Sequence, residues 1–281
     1  MRTILTLALL TALSTVFSTS ATAALVADIN LDRVREAPEA DAVRERLAAV
    51  MPAHIQERIA ALAQAFDCDP RRDLHRVVFN YPDQGAATLR LVGLPATRIA
   101  EALAKKGGGI PVLGGLTGYT LPNRPQAVMV AINDSEMLIG RADALSSETM
   151  APPSLAPMNK ELALHLRLIP SDKPRAEIMT LVRSLTLTAN GQGHIVIDAS
   201  AHNHADANEL ERRMEVIKNL ANIGAEGLLP GLTRAKQFLD ASVMTREEDR
   251  FIITIDMPEE LRKAAIERMI SRVEQRVGQG K

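Results

Sequence analysis

The sequence predicts an α+β fold of two related two-layer units, each an antiparallel sheet with helices packed on one face. Three observations predict it. Short runs with period-two alternation come in pairs joined by glycine-containing turns, the signature of antiparallel hairpins. Longer stretches with apolar residues at helical spacing separate those hairpins. The order strand, Gly turn, strand, amphipathic helix also occurs twice. HRVVFNYPDQGAATLRLVGLPATRIAEALAKK and RSLTLTANGQGHIVIDASAHNHADANELERRM share it, about 108 residues apart, a period that marks two domains or half-domains rather than a solenoid. Hairpins interrupted by helices put the helices on one side of a sheet and leave its other side wet. The two units form either separate sheets or one shared sheet.

Residues 1–23 read as a secretory signal peptide. Arg2 supplies the positive start, Ile4 to Phe17 the apolar run, and Ala21-Thr22-Ala23 a small-residue cleavage site. The run is short for a bilayer span of roughly 20 residues. The mature chain is therefore expected to begin at Ala24, to have no membrane span, and to be periplasmic or secreted.

The first unit is expected over 24–150. Leu25, Ala27, Ile29 and Leu31 alternate with polar or small residues and give the opening strand. Val43, Leu47, Val50, Ile55, Ile59, Leu62 and Phe66 recur on one helix face, interrupted at Pro52. Strands follow at His75 to Tyr81 and Ala87 to Leu94 around the turn Pro82-Asp83-Gln84-Gly85. Pro95-Ala96-Thr97 then opens a short helix, and Ala127 to Ile132 with Met137 to Gly140 closes the unit. A linker rich in proline and serine runs from Ser146 to Asn159.

The second unit, 151–281, repeats the plan. Leu162, Leu164, Leu166 and Leu168 alternate, and a short helical piece follows near Pro174 to Thr180. Strands are expected at Ser184 to Ala189 and His194 to His202, and a helix from Asp206 to Ile223. Ala241 to Thr245 and Arg250 to Asp256 form the last hairpin. A helix from Pro258 to Arg276 ends the unit, with Glu259-Glu260 at the positive end of its dipole.

Composition removes several classes. The apolar share of 46% supplies a core, and a net charge of -1 gives no electrostatic basis for nucleic-acid binding. Two tyrosines and no tryptophan leave no stacking platform for bases or sugars. Cys68, the one cysteine, excludes a disulfide framework within the chain. Asp67 and Asp69 beside it raise its pKa, which suits a packed residue in a turn rather than a nucleophile.

The opening strand DINLDRVR (Asp28 to Arg35) and the segment DPRRDL (Asp69 to Leu74), together with the leader, resemble a set of uncharacterised secreted bacterial proteins. Those proteins combine a signal peptide with a duplicated α+β unit. The resemblance is carried by motifs over the first hundred residues and by pattern beyond them. It implies the fold and an exported location, and it implies no catalytic residue.

The strongest constellation for chemistry is Asp198, His202 and His204. Two imidazoles at i and i+2 on one strand face, with a carboxylate on the same face, are ligands suited to a transition metal. Pairing of the Leu162 strand offers His165 or Arg167 as neighbours. Asp206 reads as a helix N-cap, so the same histidines also fit a solvated strand end. The glycine-rich stretch 107–118 fits neither a phosphate loop nor a dinucleotide fingerprint, because no Lys-Ser/Thr pair and no helix follow its glycines. It reads as a hairpin-like flap with an apolar tip at Ile110 to Leu113. No G-x-S-x-G and no H-E-x-x-H occurs. The expectation is an exported soluble, non-catalytic binding or interaction protein without a cofactor, taking a protein or a hydrophobic ligand. A periplasmic lipid or lipoprotein carrier and a metal-dependent hydrolase are the alternatives.

Overall fold

The computed structural model describes residues 23–51, 53–82, 86–107, 109–112, 115–121, 124–145, 159–171, 177–226 and 236–279. The expected leader up to residue 22, the expected turn at 83–85 and the expected linker at 146–158 lie outside the described residues.

The first half contains β1 (Ala23–Asn30), α1 (Leu31–Glu36), α2 (Ala40–Val50), α3 (Ala53–Phe66), α4 (Pro70–Asp73), β2 (Arg76–Tyr81) and β3 (Thr88–Val92). It continues with α5 (Ala96–Ala104), β4 (Ile110–Pro111), β5 (Thr117–Leu121), β6 (Arg124–Asn133) and β7 (Glu136–Arg141). The second half contains β8 (Leu162–Pro170), a 3-10 turn at Glu177–Leu181, β9 (Val182–Asn190), β10 (His194–Ala201) and α6 (His204–Glu226). It ends with β11 (Ser242–Glu247), β12 (Arg250–Asp256) and α7 (Glu259–Gln279).

Among the described residues, twelve strands join one sheet in the order β11-β12-β10-β9-β8-β1-β2-β3-β7-β6-β5-β4, and every pairing is antiparallel. The halves meet at a β1–β8 seam, where Leu25 lies opposite Leu168, Ala27 opposite Leu166 and Ile29 opposite Leu164. Outward from the seam one half reads β1-β2-β3-β7-β6 and the other β8-β9-β10-β12-β11; β5 and β4 extend only the first.

Register sorts the side chains by face, because directly opposed residues share a side. Leu25, Ala27 and Ile29 lie with Val77, Phe79 and Leu166 on one face. That face carries α1, α5 and α6, with Leu31 and Val34 of α1 packing with Ile29 and Val77. Ala96 and Ala100 of α5 pack with Met129 and Met137, while Ala207 and Leu210 of α6 pack with Val182 and Ala199. Val26, Asp28 and Arg167 point the other way, as do Thr186 and Asp198. That second face is polar along its centre. Each wholly buried aliphatic side chain, such as Ile29 or Leu138, contributes about 1.5–3 kcal/mol relative to exposure.

The structure departs from the sequence reading in four places. Leu31 leaves the first strand and opens α1, because the Asn30 side chain accepts the Asp32 and Arg33 amides at 3.1 and 3.3 Å and caps a helix there. The long helical stretch, by contrast, divides into α2 and α3 where the sequence reading interrupts it. The expected glycine-rich flap instead contributes β4 and β5 to the sheet edge. The helix-free face is not wet throughout. Over β6 and β7 it carries a second core of Val128, Val130, Leu138 and Leu145, against which Val112 and Leu116 pack. Finally, Asn203 rather than Asp206 caps α6. Asn203 Oδ1 accepts the Asp206 amide at 3.0 Å, and its Nδ2 donates to Asp206 Oδ2 at 2.9 Å.

Candidate functional site

The residues singled out for metal binding fall at three different places. Asp198 sits on the polar face of β10, where Arg250 from β12 holds it through both carboxylate oxygens, at 2.5 and 3.3 Å. β10 ends at Ala201, so His202 and His204 do not share a strand face. His202 lies in the bend after the strand, its amide donating to the Leu181 carbonyl at 3.4 Å. His204 is the first residue of α6, and Arg246 Nη2 stands 3.0 and 3.1 Å from its two ring nitrogens. Asp249 lies 3.9 Å from the same ring. Among the described residues no group of three or more His, Cys, Asp or Glu side chains is arranged to hold a metal ion.

His165 and Arg167 are separated from Asp198 by β9. Thr186 pairs with Arg167 on one side and with Asp198 on the other. His165 instead lies opposite Asp28 across the seam. Asp28 is fully buried, and Arg76 donates to both of its oxygens, through Nε at 2.7 Å and through Nη2. Burial pushes the His165 pKa down, Asp28 opposes that shift and Arg167 adds to it. Sequence reading placed Asp28 on a strand without a role. The signal for its partner, Arg76 at the start of the next strand, lies 48 residues away.

Cys68 is half-buried and free. Burial raises its pKa most, Asp73, Asp69 and Asp67 raise it further, and Arg98 partly offsets them. The thiolate is disfavoured, as the sequence implied.

The concave feature that the sequence did not reveal lies between α6 and the outer hairpin. Glu211, Met214, Glu215, Lys218 and Asn219 form one stripe of α6, at helical spacing. Opposite stand Met244 and Thr245 of β11 and Phe251 of β12. Together they line a cleft of about 480 Å³. The physical cause is local. Ala207 and Leu210 seat the first turns of α6 on the sheet, but the next residues facing β11 are mostly charged or amide-bearing. Those groups keep water, so the helix and the outer strands enclose space instead of core. Glu211 is paired with Arg246 at 3.1 Å. Glu215 and Lys218 have no ion-pair partner among the described residues, leaving one free charge of each sign on the rim.

No family model matches the chain, and no curated protein matches it. Among solved structures, crystal forms III and I of the treponemal protein TP0453 each align at 12% identity with a TM-score of 0.42. Both alignments cover 89% of this chain, and 94% and 92% of the other chain. Crystal form IV of the same protein aligns at 11% identity with a TM-score of 0.41, covering 89% of this chain and 92% of the other. Among the described residues no helix is long and apolar enough to cross a membrane.

Proposed function

We propose that the chain is an exported, non-catalytic binding protein made of two tandem copies of one α+β unit, residues 24–150 and 151–281. Its ligand occupies the cleft between α6 and the β11–β12 hairpin. The observation that carries this reading is the cleft itself: a concave space of about 480 Å³ with Met214, Met244 and Phe251 as its apolar floor and unpaired Glu215 and Lys218 on its rim. The lining is mostly polar, so charged and hydrogen-bonding groups would hold the ligand over a small apolar floor. The matching strand orders of the halves support the duplication.

The groups best suited to chemistry are occupied. Arg250 holds Asp198, Arg76 holds Asp28, and Arg246 faces His204. This favours binding over catalysis by a metal or a free carboxylate. The short apolar floor and charged rim suit a small amphiphile or an extended peptide with apolar side chains better than a long acyl chain.

The test is native mass spectrometry of the protein recovered from its exported fraction, with a photoreactive residue at position 214 as a second readout. The expected result is a retained mass or a crosslinked product that the Met214→Arg variant loses. A bare apo mass, with no crosslink from position 214 beyond that from the exposed position 183, overturns the reading.

A further inference from the structure

The two ends of the twelve-stranded sheet are built differently. At one end β4 has two residues, one of them Pro111, which cannot donate to an added strand. That is a defended edge. At the other end β11 has six residues, pairs with β12 in unbroken register, and contains no proline, lysine or bulge. Val243 on this strand is 64% exposed, more than any other exposed large hydrophobic residue among those described. Strand β6 occupies the corresponding place in the first half, and there β5 covers its outer side, with Gly118 opposite Val130 and Tyr119 opposite Met129. Among the described residues, β11 has no such cover.

We propose that β11 pairs with β11 of a second copy, antiparallel about a twofold axis normal to the sheet, joining the two sheets into one. The hairpin geometry leaves the required groups free. Glu247 and Arg250 close a two-residue turn, so Glu247, Thr245 and Val243 exchange hydrogen bonds with β12. Ser242, Met244 and Arg246 therefore direct their N–H and C=O groups to the open edge.

A register with Met244 opposite itself uses all three. Met244 pairs with Met244, and Ser242 with Arg246, by reciprocal backbone bonds. Val243 and Thr245 then stand opposite each other on the helix-free face, a favourable pair of β-branched side chains. No like charges are opposed, and each face of one copy continues into the same face of the other. The strand is thus complementary to itself, as a twofold interface requires. Its exposed Val243 is covered, and the two Met244 side chains meet beside the open mouths of the α6 clefts. The pairing stands whether or not those clefts take a ligand.

The experiment is light scattering and sedimentation of the full exported chain from micromolar to hundred-micromolar concentration, beside two variants. Met244→Pro removes a backbone N–H that points only to the open edge. Val243→Lys with Thr245→Lys sets like charges opposite each other. The expected result is a dimer for the unmodified chain, and monomers for both variants at the same concentrations with unchanged far-UV circular dichroism. A monomer throughout that range overturns the proposal, and so does a dimer that persists in a folded variant. Should Met244→Pro fail to fold, the lysine pair decides.

Discussion

Replacing Arg76 with alanine tests the seam between the two halves of the sheet. Asp28 is 0% exposed, and the bonds to its carboxylate come from Arg76, which reaches both oxygens from the neighbouring strand. Its cross-strand neighbour on the other side is His165, a ring whose charged form burial disfavours. Without Arg76 the carboxylate is left in the sheet with no cation, and breaking a buried pair in this direction costs about 3–5 kcal/mol. The reverse change is milder. The Arg76 side chain is 41% exposed, so in Asp28→Ala it turns to water, and the loss is about 1–2 kcal/mol for the missing charged hydrogen bonds. The double variant should cost about as much as Asp28→Ala alone, about 3 kcal/mol or more below the sum of the singles, since the second change removes a group already orphaned. Urea unfolding followed by far-UV circular dichroism is the suitable assay, because the chain has no tryptophan to report by fluorescence. An Arg76→Ala loss below about 1 kcal/mol, or one no larger than that of Asp28→Ala, would refute the reasoning.

Two further predictions concern local geometry and pH. Gly93 has φ +108°, and a Cβ there would lie 2.0 Å from the Asp73 carbonyl oxygen and 2.5 Å from His75 Cδ2. Gly93→Ala should therefore destabilise by more than about 3 kcal/mol. Gly193→Ala, at φ +92° but with no atom closer than 3.4 Å, should cost much less in the same denaturation series. For His165 the folded state favours the neutral ring, so the unfolded chain takes up the proton first as pH falls through its ordinary value of 6.5. Stability from this group is full above that value and is lost below it until the folded ring titrates as well. His165→Gln should flatten the stability profile between neutral and mildly acid pH, and an unchanged slope would show that burial of this ring carries no such linkage.

Much of the element content was legible locally. Leu25, Ala27 and Ile29, and likewise Leu164, Leu166 and Leu168, alternate as they must on a strand with one buried face. The alternation of Ile195, Ile197 and Ala199 against Val196, Asp198 and Ser200 also predicts the two faces that the register shows. Pairing partners were less visible, because alternation names a face and not a neighbour. Nothing near Leu25 indicates that Leu168 will lie opposite it, so the sequence allows one shared sheet or two separate ones, and the β1–β8 seam decides between them. The candidate metal residues illustrate a different limit. Sequence spacing treats His202 and His204 as positions on a continuing strand. The Asn203 cap turns the chain into α6 between them and sends His204 toward Arg246. The cleft had a weak signal, the run of Glu211, Glu215, Lys218 and Asn219 on one stripe of a helix that should face a sheet. Its meaning depends on β11 and β12 standing opposite.

By itself the sequence determined an α+β chain of hairpins and amphipathic helices, a balanced charge and an inert cysteine, because each of these follows from composition or short-range periodicity. Only the tertiary structure decided that the strands share one sheet, that Asp28 is buried under Arg76, that β11 is an open edge, and that a cleft opens beneath α6. Those features arise from contacts between residues tens to hundreds of positions apart, where the free energy of burial and pairing is settled by the whole chain and not by any segment of it.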